Sequence, residues 1–277
     1  VSTDVLPRPR NAFRAEQRFP TVPRMVRIAA IERTEPGMVR VSFKGSELGE
    51  FSRDGVDFPA MKSRAFDDVV ILCFPDPATG AFFGAAAHEL SNPPLSELCS
   101  WQGREYTVRR LCQRDKLLTV DFVLHESGIA ESWLRTAVVG DPLGIIGTRM
   151  SRKLPTEPHI LAVGDATAIP ALARLVEESH GTTPLDVYVI ADRNVLGQSF
   201  PTSPQVHVTW IDPAQGAVSR LGAILATQGL RTGTWAWLAG ESTLVGKIRR
   251  HLVHGHGLDK ERIHFTGYWK AHAASNR

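Results

Sequence analysis

The sequence predicts two domains of different class: an N-terminal antiparallel β-barrel followed by a C-terminal α/β domain with a parallel sheet. Three observations predict it. From Val22 to Gly147 short β-branched or aromatic runs are separated by turn residues, the spacing of an antiparallel barrel or sandwich. Beyond the charged, proline-bearing "SRKLPTEP", apolar strands alternate with helix-like segments, the pattern of a parallel sheet. A chain of 277 residues is long enough for both units to bury a core. The boundary is expected at 153/154, giving domains 1–153 and 154–277.

In the first half the strands read "MVRVSFKG", "VVILCFP", "REYTVRRL", "LLTVDFVLH" and "DPLGIIG", with one helical interruption, "GIAESWLRTAVVGD". Gly128 opens that helix and lets backbone amides approach an anion, while Ile129, Trp133 and Ala137 form its inward stripe. In the second half the order is "HILAVG", "TAIPALARLVEESHG", "LDVYVIAD", "VHVTWID", "AWLAG", "STLVGKIRRHLVHGHG" and "RIHFTGYW". In "HILAVGDATAIPALARLVEE" a buried strand meets a helix start, with Thr167 as its cap and Pro170 in its first turn. Ile169, Leu172 and Val176 recur at helical spacing and face the sheet. Such a start presents free amides and a partial positive charge, although "GDATA" lacks the GxGxxG pattern.

Lysine and arginine number 32 against 29 acids, a balance of +3 that argues against nucleic acid and leaves any basic site local. Cys73, Cys99 and Cys112 cannot all pair and form no zinc or cluster spacing, which fits a reducing cytoplasm. No apolar run approaches a membrane span and the first residues lack a signal-peptide core, so the protein is expected to be cytoplasmic, monomeric and without stable membrane insertion. "HLVHGHG" groups His251, His254 and His256, but its glycines mark a helix end, where histidines suit the dipole without an ion, so no metal is expected. His125, at a strand end, reads by itself as a structural histidine, and Trp133 as core.

Two stretches resist a purely structural reading. "GREYTVRR" sets Arg104, Arg109 and Arg110 around Tyr106 and Thr107. "GYWK" ends the last strand on Tyr268 and Trp269 followed by Lys270, which suits a flat or anionic partner. Taken in order, "TEPGMVRVSFKGSEL", "GREYTVRR", "VDFVLHESGIAESW", "VGDPLGIIGT", "VGDATAIPAL", "WLAGES" and "GYWK" resemble the siderophore-interacting proteins, FAD-dependent ferric-siderophore reductases of the ferredoxin-reductase-like superfamily. Ile129 stands where that family usually has proline, and Lys270 where it often has arginine.

The resemblance implies an FAD-binding barrel and an NAD(P)H-binding α/β domain. It sets Tyr106 against the isoalloxazine, Thr107 at its reactive edge, and Arg104 and Arg109 on phosphate or flavin oxygens, with Val108 beside them. The amides from Gly128 through Ile129 and Ala130 to Glu131 take the pyrophosphate, with His125 and Trp133 nearby. Asp165, Thr167, Ala168 and Glu241 flank the nicotinamide, and Tyr268 and Trp269 lie near either ring system. In "VIADRNVL" Arg193 suits the 2′-phosphate of NADPH and Asp192 the free ribose of NADH, so the donor stays open, with a lean to NADPH. Lys270 and Arg109 are the implied contacts of a ferric siderophore. A flavin links a two-electron donor to one-electron Fe(III), so no side chain is required as a nucleophile. A general flavin or quinone reductase, and a non-catalytic siderophore-binding flavoprotein, are the alternative readings.

Overall fold

The computed structural model describes residues 15–84, 95–124, 128–196, 200–201 and 203–271. Its first half is a seven-stranded antiparallel sheet in the order β7-β6-β10-β2-β3-β9-β8. The strands are β2 (Pro23–Glu35), β3 (Met38–Lys44), β6 (Val69–Phe74), β7 (Gln102–Thr107), β8 (Arg110–Cys112), β9 (Leu117–Val123) and β10 (Pro142–Gly147). The two edge strands, β7 and β8, are consecutive in the chain, with only Val108 and Arg109 between them. A flat sheet cannot bring its edges within two residues of each other, so this one curls into a half-barrel. Alternation along β3 and β9 sends Val39, Val41, Phe43, Leu118, Val120 and Phe122 inward.

"REYTVRRL" is thus two strands rather than one. Helix α2 (Ile129–Leu134) follows β9; its Ile129 and Trp133, and Ala137 just beyond its end, pack on the barrel core as expected. Two small antiparallel pairs lie outside the main sheet: β1 (Glu16–Arg18) with β11 (Met150–Arg152), and β4 (Phe51–Arg53) with β5 (Val56–Phe58). A short helix α1 (Leu95–Leu98) precedes β7. Cys73 on β6 and Cys99, far apart in sequence, are brought to a Cα–Cα distance of 5.2 Å and joined as a disulfide, leaving Cys112 free.

The second half is a parallel five-stranded sheet in the order β14-β13-β12-β15-β16. Its strands are β12 (His159–Asp165), β13 (Leu185–Ile190), β14 (Val206–Ile211), β15 (Thr234–Glu241) and β16 (Ile263–Trp269). β12 is buried along its whole length, as a central strand covered on both faces must be. Helices α5 (Ala217–Gln228) and α6 (Ser242–His256) cover one face through Leu221, Leu225, Val245, Ile248 and Leu252. Helix α3 (Ile169–Glu178) covers the other through Ile169, Leu172, Leu175 and Val176. A fourth, short helix, α4 (Arg193–Leu196), follows β13. Among the described residues no helix is long and apolar enough to cross a membrane.

The cluster under α3 is not confined to the α/β half. It contains Met38 of β3 and Phe66, and the Phe66 ring meets Trp237 of β15 edge-on at 5.3 Å. Gly37, in the β2–β3 turn, donates to the Val195 carbonyl at 3.1 Å, and a Cβ there would stand 2.6 Å from Val195 Cγ1. The halves therefore share apolar contacts as well as backbone bonds.

Gly164 shows how tightly β12 meets the turn that leads into α3. An added Cβ would lie 2.4 Å from the Ala168 Cβ. Gly164→Ala is expected to lower the unfolding free energy by about 1–3 kcal/mol, the scale of overpacking in a filled core, read as a lower urea midpoint.

Candidate functional site

A cavity of about 1100 Å³ opens between the halves, at the upper end of the range for small-molecule pockets. β7 forms one wall with Arg104, Tyr106 and Thr107. Its register against β6 pairs Arg104 with Leu72 and Tyr106 with Val70, which fixes the height of each side chain along the wall. The Tyr106 ring rests 4.5 Å from Phe122, and burial pushes its hydroxyl up to about 12, opposed in part by the charge of Arg104. Arg104 is exposed at the wall, with Nη1 on the Gly103 carbonyl at 2.8 Å and Nη2 on Gln102 Oε1 at 3.2 Å.

A second wall is the start of α2. Gly128, Ile129 and Ala130 line the cavity, and Gly128 takes φ 158°, a conformation that suits glycine. The first amides of a helix have no carbonyl within it to satisfy them. Glu131 turns away and pairs with Arg135 at 3.1 Å, and Trp133 is core, packed among Phe43, Phe74 and Phe122. His125 lies outside the described residues.

The α/β half closes the cavity with Thr167, Tyr268, Trp269 and Lys270. Two of them, Thr167 and Trp269, are held by one carboxylate. Asp165, at the end of β12, accepts from Thr167 N at 2.8 Å and Thr167 Oγ1 at 2.6 Å on Oδ1. Its Oδ2 accepts from Glu241 N at 2.7 Å and the Trp269 indole at 2.9 Å. Asp165, and not Thr167, is therefore the cap of the turn Ala166–Ala168; α3 itself starts without a side-chain cap, with Pro170 in its first turn. Glu241, expected beside the nicotinamide, caps α6 by accepting from Leu244 N at 2.7 Å. The amides of Thr243 and Leu244 hold its carboxyl below the usual carboxylate range. Thr107 and Tyr268 share a hydrogen bond across the two halves, while burial, aided by the Asp67 charge, pushes the Tyr268 hydroxyl above the ordinary phenol range.

Several expected contacts are placed elsewhere. Arg109 does not line the cavity: the chain turns at Val108 and aims it at α3, where Nη1 and Nη2 hold Glu177 at 2.8 and 2.5 Å and Nε stands 3.5 Å from Asp121. Its expected roles toward phosphate and siderophore are replaced by an ion pair between the halves. Val108 and Ala168 are fully buried in the cores. Arg193 starts α4 at the surface and is not part of the cavity wall, whereas Leu196 of the same helix is.

Other lining residues were not singled out by the sequence. Arg18, Arg149 and Arg152 form a basic rim. Pairing of β1 with β11 sets Arg18 opposite Met150, and the signal in sequence was the cation-rich "TRMSRK" after β10. Asp67 and His264 also line the cavity, 3.8 Å apart. The Trp237 indole nitrogen is buried at the wall without a hydrogen-bond partner. A guanidinium beside a tyrosine and helix amides without a side-chain cap together fit a flavin dinucleotide, which carries a ring system at one end and a pyrophosphate in the middle. Among the described residues no group of three His, Cys, Asp or Glu is placed to hold a metal ion; His251 and His256 meet at 3.3 Å by themselves.

Residues 27–152 match the family described as the siderophore-interacting FAD-binding domain, and residues 157–272 match the family described as siderophore-interacting protein. The chain belongs to the siderophore-interacting protein family. It is an FAD-containing oxidoreductase whose half-barrel is the FAD-binding domain of that family. Among siderophore-interacting relatives of solved structure, the siderophore utilization protein from T. fusca is 27% identical, with a TM-score of 0.77 over 95% of this chain and 98% of that one. The NADPH-dependent ferric-chelate reductase of Escherichia coli (strain K12) is 26% identical over 96% of this chain and 98% of its own length. The ferric vibriobactin reductase of Vibrio cholerae is 30% identical over 60% of this chain, and the matched region spans 64% of that protein. A ferredoxin reductase of carbazole 1,9a-dioxygenase, 14% identical with a TM-score of 0.63, shares the fold.

The Asp165 hub yields a direct test. Asp165→Ala strands the Thr167 and Glu241 amides and the Trp269 indole, each costing about 1–3 kcal/mol if left unsatisfied. Urea denaturation is expected to show the loss, and the Trp269 emission, isolated by comparison with Trp269→Phe, is expected to shift to the red.

Proposed function

We propose that this chain is an NAD(P)H-dependent ferric-siderophore reductase acting as a single subunit in the cytoplasm. The observation that carries the reading is the convergence on one cavity of the Arg104–Tyr106–Thr107 wall, the start of α2 and the Tyr268–Trp269–Lys270 segment. The family match and the names of the Escherichia coli and Vibrio cholerae relatives support it. The overall reaction balances as one NAD(P)H and two Fe(III) giving one NAD(P)+, two Fe(II) and a proton. Bound FAD supplies the conversion between a two-electron donor and one-electron acceptors. Reduction weakens the grip of the siderophore's hard oxygen donors and frees the iron inside the cell.

In this reading Arg104 and the first amides of α2 hold phosphate oxygens, Tyr106 covers a ring face from its seat on Phe122, and Thr107 offers a hydroxyl at the edge. Thr167 and Trp269, held by Asp165, shape the place for the nicotinamide. Asp192 Oδ1 is engaged by Asn194 N at 2.8 Å, whereas Arg193 is exposed, which supports a 2′-phosphate and hence NADPH. Lys270, with Arg18, Arg149 and Arg152 outnumbering the Glu16 and Glu105 carboxylates they pair with, offers the positive mouth that suits an anionic ferric siderophore on a nearly neutral protein. The division into an FAD domain, 1–153, and an NAD(P)H domain, 154–277, is supported by the end of β11 at Arg152 and the start of β12 at His159. In a reducing compartment Cys73 and Cys99 would stand as two buried thiols.

Anaerobic mixing of purified protein with each nucleotide and then with a ferric siderophore tests the whole reading; a protein that binds no FAD removes it. Arg104→Ala is expected to weaken FAD binding by about 1.5–3 kcal/mol, the scale of a lost charged hydrogen bond, seen as a tenfold to hundredfold rise in the dissociation constant. Lys270→Ala is expected to slow reduction of an anionic siderophore more at low salt than at high, because screening already weakens the attraction. A rate unchanged across salt in stopped-flow measurements removes Lys270 from the substrate site.

A further inference from the structure

The α/β half reaches into the half-barrel through a buried cation that the proposed mechanism does not use. Arg174, on α3, is 8% exposed. Its Nη1 donates to the Val108 carbonyl at 2.6 Å and to Ser63 Oγ at 3.1 Å, while Nε and Nη2 hold Glu178 Oε1 at 2.9 and 2.5 Å. Val108 is the residue directly after Thr107. Its amide donates to the Asp68 carbonyl at 2.8 Å, and the Asp68 carboxylate accepts from Ser63 Oγ, Arg64 N, Ala65 N and Ser151 Oγ. Val108, the residue that follows β7, is therefore held at its amide by the half-barrel and at its carbonyl by the α/β half. Glu177, the neighbour of Glu178, holds Arg109 by two bonds, so α3 grips both residues that separate β7 from β8.

Helix packing alone does not require a charge here. An apolar side chain of similar length fills the same space without the desolvation cost of a buried guanidinium. Only a planar fork serves Val108, Ser63 and Glu178 together. We infer that Arg174 is a positioning residue for the flavin wall: by holding the Val108 carbonyl it fixes the end of the strand carrying Tyr106 and Thr107, so FAD affinity in the half-barrel depends on a residue of the α/β half. The inference rests on the FAD reading of the cavity given above.

The test measures FAD dissociation constants by titration of apo-protein, and amide hydrogen exchange across residues 106–109 in the apo-protein. Arg174→Met keeps length but removes every donor; it is expected to weaken FAD binding about tenfold or more, the effect of losing a charged hydrogen bond, and to speed exchange at Val108 and Arg109. Arg174→Lys, which keeps a donor for the carbonyl, is expected to restore binding to within about threefold. Glu178→Gln, which leaves the reach to Val108 intact, is expected to bind nearly as the parent. If Arg174→Met does not fold, Arg174→Gln, too short to reach Val108, takes its place with the same expectations. Parental affinity in the Met or Gln variant, or equal losses in the Lys and Met variants, overturns the inference. When Arg104→Ala alone loses FAD, the flavin site stands and Arg174 is removed from it; a parent protein that binds no FAD overturns both.

Discussion

The architecture turns on the two residues between β7 and β8. Because the first and last strands of the seven-stranded sheet are joined by Val108 and Arg109 alone, the sheet has to curl, and its curl sets the wall on which Arg104, Tyr106 and Thr107 stand. The same short link is where α3 docks, with Arg174 on the Val108 carbonyl and Glu177 on Arg109. Curvature of one half, orientation of the other and the depth of the cavity between them are consequences of one turn. Asp165 completes the arrangement from the opposite side, by tying the start of the α3 turn, the start of α6 and the end of β16 to a single carboxylate.

Charge is used locally. Around the opening Arg18 and Arg152 share Glu16, at 2.9 and 3.2 Å, and Arg149 stands 3.8 Å from Glu105. Arg40 and Arg109 share Asp121, whose carboxylate is fully buried, so the strongest fields in the half-barrel are cancelled where they would cost most. Arg18, Arg149 and Arg152 gather at the rim through the pairing of two three-residue strands. Arg24 illustrates the opposite case: buried and held by the carbonyls of Glu47, Gly49 and Pro59, its guanidinium is pushed by desolvation to about 10 and serves the packing of the 45–60 region.

Much of this was legible in the sequence because period and order carry it. The alternation of β3 and β9 and the apolar run of β12 follow from burial on one face or on both, and the inward stripe of α2 follows from helical spacing. The ordered motifs marked β7, the start of α2, the β12–α3 turn and the end of β16 as neighbours in space, and all four meet at the cavity. What the sequence concealed depends on direction rather than identity. Arg109 reads like Arg104 in "REYTVRR", but two residues of turn aim it at Glu177. Asp165 and Glu241 are implied as ligand contacts by the resemblance of their motifs, yet Asp165 accepts from the Glu241 amide and the Trp269 indole, and Glu241 caps α6. The disulfide escaped because 26 residues separate Cys73 from Cys99 in sequence, while Cys99 sits just ahead of β7, the strand that pairs with Cys73's own β6.

The apolar cluster beneath α3 takes Met38 and Phe66 from the half-barrel into the core of the α/β half, and Gly37 seats the turn before Met38 against Val195 with no room for a side chain. Neither half is thus a free-standing module. Recombining this half-barrel with the nucleotide domain of another reductase would leave Met38 and Phe66 facing a surface that did not evolve with them. Sequence change at this seam is therefore expected to be concerted, one half drifting only as fast as the other accommodates it.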